Sequence, residues 1–198
     1  MSGRYSISQE DLLPTAAYGA ARAEHRRAVI ELKRYRRLEV GPVAAFYFEN
    51  YATMLSQIQE MLWIEKGGEA QITDELAAYN PLIPQGRELV ATMMFEIADP
   101  ARREDLLARL GGVEETVSLE VAGRRILAVV DREDGIERTR ADGKTSSIHF
   151  LHFPFRVDQI TAFREPGARI IAAISHPEYG HMAVLPEAMR QALAEDFD

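Results

Sequence analysis

Val43-Ala44-Ala45-Phe46-Tyr47-Phe48-Glu49-Asn50 is the stretch whose reading decides the fold. Ala44, Phe46 and Phe48 alternate with Val43, Ala45, Tyr47 and Glu49, a two-residue period that predicts a strand. Both sets are largely apolar, so the strand is expected to be central and covered on both faces. Asn50 suits a helix N-cap, because its side-chain oxygen can accept an otherwise unpaired first-turn N–H. The helix it opens, Tyr51 to Lys66, offers Met54, Leu55, Ile58, Met61 and Leu62 to a core, and Gly67-Gly68 ends it. A further helix over Glu69–Tyr79 stops at Asn80-Pro81, and Leu89–Ile97 reads as the next strand.

Upstream, Pro14 to Arg37 predicts a first helix. Tyr18, Ala21, His25, Val29 and Leu32 recur along it at three- and four-residue steps, and Gly41-Pro42 breaks the chain after it. His25 falls on that apolar stripe and is expected as a buried, neutral imidazole bonded to a backbone carbonyl. Downstream, Asp99-Pro100 opens a helix running to Leu110, with Asp99 as cap. Val117–Val121 and Arg124–Asp131 form a hairpin about Ala122-Gly123. Residues 132–147 are rich in charge and glycine and read as a mobile loop or a long hairpin tip. Strand Ile148–Phe155, helix Val157–Arg164, strand Arg169–Ser175, an extended segment Tyr179–Leu185 and helix Pro186–Ala194 follow. The expectation is one α+β domain over residues 1–198. Its sheet is mostly antiparallel, helices pack on one face, and the first helix lies across it.

Bulk properties narrow the function classes. A chain of 198 residues can bury a sizeable core as one domain, and 46% hydrophobic against 27% charged residues excludes wholesale disorder. No apolar run approaches the roughly 18 residues of a membrane span, and no secretory signal is visible, so the expected location is the cytoplasm. The absence of cysteine excludes disulfides, cysteine nucleophiles and cysteine-ligated iron–sulfur clusters within this chain. Charge is distributed unevenly. Residues 22–37 carry seven Arg or Lys against Glu24 and Glu31, a local +5 that leaves −13 for the remainder. The first helix is therefore either a docking surface, through Arg26, Arg34 and Arg37, for an acidic protein or an anionic ligand, or a solvated helix face balanced by acidic neighbours within the fold. One basic helix on an acidic protein is a poor footprint for nucleic acid.

Three carboxylates are candidate acid/base groups. Glu49 ends the central strand, Glu96 ends another apolar strand, and Glu60 lies on the intervening helix. If they converged, burial and mutual repulsion would raise one pKa; otherwise each pairs with an arginine of the first helix. Four histidines are candidate ligands for a divalent transition metal. His149 and His152 lie three residues apart on one strand and so point to opposite faces, whereas His176 and His181 flank a turn. Gln57 and Gln59 are read as binding backbone at an element edge, and the methionines as packing. No GxGxxG or GxxxxGK[ST] phosphate loop and no GxSxG elbow is present.

The wording of these segments resembles a bacterial family catalogued as domain of unknown function 3501. The resemblance rests on Val29–Arg34, Phe48-Glu49-Asn50, Gln57–Leu62, Tyr79-Asn80, Leu82-Ile83-Pro84, Phe95-Glu96-Ile97, His176-Pro177-x-Tyr179 and Leu185-Pro186. It implies an accessory role beside rubrerythrin-like and iron–sulfur redox proteins, whose genes tend to neighbour those of the family. The expected function is thus a cytoplasmic accessory or interaction protein in redox or oxidative-stress metabolism. The alternative is a metal-dependent or carboxylate-based small-molecule enzyme.

Overall fold

A computed structural model of the protein describes residues 4–130 and 143–198. Most of the 132–147 excursion therefore lies outside the described residues. At its far end, Thr145 N donates to Leu107 O at 3.0 Å and Ser147 O accepts from Phe95 N at 2.9 Å.

The expected antiparallel architecture is divided between two four-stranded sheets. The first runs β1 (Arg37–Val40), β2 (Ala44–Glu49), β3 (Glu88–Phe95), β6 (Ile148–Pro154). The second runs β5 (Arg124–Leu127), β4 (Val117–Val121), β7 (Ile170–His176), β8 (Tyr179–Val184). Register follows the alternation of the sequence. Phe46 stands opposite Leu38 and Met93, Phe48 opposite Ala91, and Ala91 opposite Leu151. These side chains share one core with Val117, Leu119, Ile170, Ala172 and Ile174 of the second sheet. Leu107 of α4 (Pro100–Ala108), Phe163 of α5 (Val157–Arg164) and Leu193 of α6 (Glu187–Ala194) belong to the same core.

The opposite face of the first sheet is covered by helices, so β2 is buried on both sides as its composition requires. Met54 and Ile58 of α2 (Tyr51–Glu65) pack there with Ile7, Leu82, Ile83 and Val90. α2 is capped reciprocally: Asn50 Oδ1 accepts from Thr53 N at 3.0 Å, and Thr53 Oγ1 accepts from Asn50 N at 2.9 Å. α3 (Gly68–Tyr79) packs beside α2, and so does α1 (Thr15–Lys33). The first helix thus lies on another helix rather than across the sheet, because α2 and the Leu82-Ile83 segment already occupy that face. It also ends at Lys33, not Arg37. Arg36 is buried and Arg37 begins β1, a strand not expected from the sequence.

Two corners join the sheets. At one, Val129 and His152 exchange backbone hydrogen bonds of 2.7 and 2.9 Å between the β5 and β6 ends. At the other, the buried Tyr179 hydroxyl donates to Val40 O at 2.9 Å and accepts from Val43 N and Ala44 N at 3.1 and 3.0 Å. Gly41 makes this possible: its φ is +77°, and a Cβ there would lie 2.5 Å from the His181 ring. A third tie is the bidentate Arg36–Asp196 pair at 2.7 and 2.8 Å, almost wholly buried. Burial pushes the Asp196 carboxyl above its ordinary value against the opposing pull of Arg36.

Tyr179→Phe is expected to destabilise the protein by about 2–3 kcal/mol, because two buried N–H groups lose their acceptor. Gly41→Ala should cost at least roughly 1 kcal/mol from the left-handed backbone alone, with the clash in addition. Denaturant titration checks both.

Candidate functional site

The three candidate carboxylates do not converge. Glu49 is buried between sheet and α2, where Thr53 and Thr92 hydroxyls donate to its two oxygens at 2.7 and 2.9 Å. Glu60 sits on α2 facing α1. Arg22 grips it through Nε and Nη2 at 2.9 and 2.8 Å, and the Tyr18 hydroxyl adds a bond of 2.7 Å. Those Arg22 bonds hold Glu60 below the ordinary carboxylate value, while burial and the Glu60 bond push the Tyr18 phenol up. Glu96 lies beyond the end of β3, bonded by Tyr47 and, at 2.7 Å, by Arg37; the Tyr47 bond leads in lowering its pKa. The expected arginine of the first helix is therefore found for Glu60. Glu96 takes an arginine from β1, and Glu49 takes hydroxyls.

The histidines are equally dispersed. His149 is buried between the sheets, with Nε2 2.9 Å from Ser146 O and its ring edge-on to Phe95. His152, on the opposite face as the strand period requires, sets Nδ1 3.0 Å from Glu88 Oε2. His176 Nδ1 accepts from Glu178 N at 3.2 Å, and His181 packs against the Tyr179 ring. Among the described residues no three His, Asp or Glu side chains are grouped to hold a metal ion. Arg37, a candidate for docking, is engaged by Glu39, Tyr47 and Glu96. Arg26 and Arg34 remain on the exposed helix, with Arg34 near Glu31 at 3.8 Å.

The feature that stands out is α1 itself. Of its nineteen residues only Tyr18 is buried. The helix runs antiparallel to α2 and touches it closely at one end, where the Trp63 ring lies 2.4 Å from where a Gly19 Cβ would sit. Arg22, Tyr18 and Glu60 form the latch beside it. Between the two helices, and closed on one side by Asp11 and Leu13, lies a groove of about 400 Å³. His25, Ala28, Val29 and Leu32 line one wall, and Tyr51, Ala52, Leu55 and Ser56 the other. His25 is exposed, with its ring 5.6 Å from Tyr18, instead of buried as its place on the stripe suggested. The α1 stripe was legible in the sequence. That Tyr51 and Leu55 form its counterpart was not, because only the packing of α1 on α2 places them opposite it. Gln59, as expected, binds backbone: Leu13 N donates to its Oε1 at 2.8 Å.

The family model described as protein of unknown function (DUF3501) matches residues 6–197. The chain belongs to the DUF3501 family. A solved structure from Burkholderia pseudomallei K96243, described as a novel protein of unknown function, is 35% identical with a TM-score of 0.88. The match covers 98% of this chain and 100% of that one. No curated protein matches. The DUF3501 chain has no helix among its described residues that is long and apolar enough to cross a membrane.

Trp63 is the single tryptophan and sits at the α1–α2 latch, so its emission reports that contact. Glu60→Gln should shift the emission to the red and cost about 1–2 kcal/mol. Because the folded pKa of Glu60 is depressed from 4.5, its contribution is full above that pH and lost as pH falls through the folded value. Acid titration followed at Trp63 should show this step in the native protein and not in the Glu60→Gln variant.

Proposed function

We propose that this DUF3501 protein is a cytoplasmic, non-catalytic accessory protein that docks an acidic partner on α1. The observation that carries the reading is a nineteen-residue helix with one buried side chain and a basic exposed surface. A helix contributing so little to the core leaves most of its surface open to another contact. Arg26 and Arg27 on it, and Arg34 at its C-cap 3.8 Å from Glu31, are exposed to solvent. Such a cluster on an otherwise acidic chain steers an acidic partner to one place and repels it elsewhere. The family resemblance makes redox proteins, rubrerythrin-like or iron–sulfur, the class to test first. Arg37 falls outside the docking set, since three side chains of its own chain already hold it. The enzyme alternative draws no support from carboxylates that each have separate partners, or from histidines on different elements.

A pull-down from the native host with the full chain is expected to recover such a redox protein. Charge reversal at Arg26 and Arg34 together should weaken the complex by about tenfold or more and reduce its salt dependence. A complex indifferent to both reversals would remove α1 from the account.

A further inference from the structure

We propose that the groove between α1 and α2 receives an acidic amphipathic helix of the docked partner, an inference that rests on the docking role of α1. Two helical stripes face each other across the groove. On α1 Ala28, Val29 and Leu32, with His25 one turn before, follow helical spacing, as do Tyr51, Ala52 and Leu55 on α2, with Ser56 beside them. A groove between two neighbouring helices is a cleft into which a third helix packs, by apolar side chains three and four positions apart.

Charge selects the kind of helix. Arg22, Arg26 and Lys33 form a row beside the apolar stripe of α1, four and seven residues apart. Arg22 is committed to Glu60, whereas Arg26 is exposed and Lys33 half-exposed, with no ion pair recorded for either among the described residues. The N-terminus of α2, which lines the groove, adds the positive end of its helix dipole. The one acid in the lining, Asp11, is already engaged by Ser8 N at 2.8 Å and lies 3.8 Å from Arg4. An incoming helix with apolar residues at three- and four-residue steps and Asp or Glu along its flank would satisfy the stripe and the row together. A basic helix would meet Arg26 and Lys33 with like charge.

The absence of cysteine allows a direct test. Ser56→Cys places a single thiol in the groove with little change of shape, and a benzophenone coupled to it can be photocrosslinked within the partner complex. The crosslinked peptide should carry apolar residues at helical spacing and an excess of Asp and Glu. Ala28→Trp, at an exposed position that fills the groove, should weaken the complex about tenfold and leave the melting temperature unchanged. A crosslinked peptide that is basic or lacks the pattern overturns the inference. So does a complex that Ala28→Trp leaves intact while reversal of Arg26 and Arg34 abolishes it, an outcome that preserves docking on α1 by charge alone. Failure of both sets of variants to affect the complex overturns the docking role together with the groove.

Discussion

The hydroxyl of Tyr179 holds the two-sheet body together where the chain makes its tightest crossing. One oxygen serves three backbone groups of the turn between β1 and β2, while the ring stacks edge-on to Phe95 within the common core. Buried backbone groups without partners are costly, and the tip of the β1–β2 hairpin has no further strand neighbour to supply them. The phenol fills that gap, and the left-handed Gly41 lets β8 approach closely enough to do so. With this corner fixed, and Val129 bonded to His152 at the other, the inner faces of the sheets enclose one continuous core.

That closure determines what is left for the helices. The second sheet takes one face of the first, so the remaining face must accommodate α2 and the Leu82-Ile83 segment. α1 is left without sheet surface and rests on α2 through Tyr18, Trp63 and the Arg22–Glu60 pair. An isolated helix of this length is marginal in water, so its order depends on this one latch and on the flanking chain. The exposed basic surface and the groove are therefore consequences of topology, not of α1's own sequence.

This explains how far the sequence could be read. β2, the Asn50 cap, α5 and the Ala122-Gly123 turn follow from local rules, and the structure places them where those rules put them. β1 is not expected from the sequence because Arg37-Leu38-Glu39-Val40, although it alternates polar and apolar, is only four residues long and follows directly on a helical pattern; pairing with β2 defines it. Gly67-Gly68 is expected to end α2 with a left-handed residue; Lys66 takes the cap position itself at φ 55°, Gly67 stays at φ −77°, and Gly68 follows at φ 76°. Gln71 accounts for part of this, since its side chain receives the Gly67 N–H at 2.7 Å and fixes the start of α3. The division into two sheets, and with it the exposure of His25, depends on contacts distant in sequence that no periodicity records.

The same reasoning decides where function can reside. Glu49 is the most deeply placed of the candidate acids, but a proton acceptor must reach its substrate, and this carboxylate already holds two threonine hydroxyls inside a packed layer. Breaking those bonds would cost the Thr92 hydroxyl its acceptor and leave Thr53 only its cap bonds to Asn50, so Glu49 acts by fixing α2 to the sheet. Glu60 likewise spends its charge on α1, and Glu96 on β1. Each carboxylate thus tightens one joint of the scaffold, and the joint made by Glu60 is the one that presents α1. Polarity that from the sequence alone suggested a catalytic centre instead ties elements of the scaffold together, and among those ties is the one that fixes α1 on α2, the helix on which the proposed docking rests.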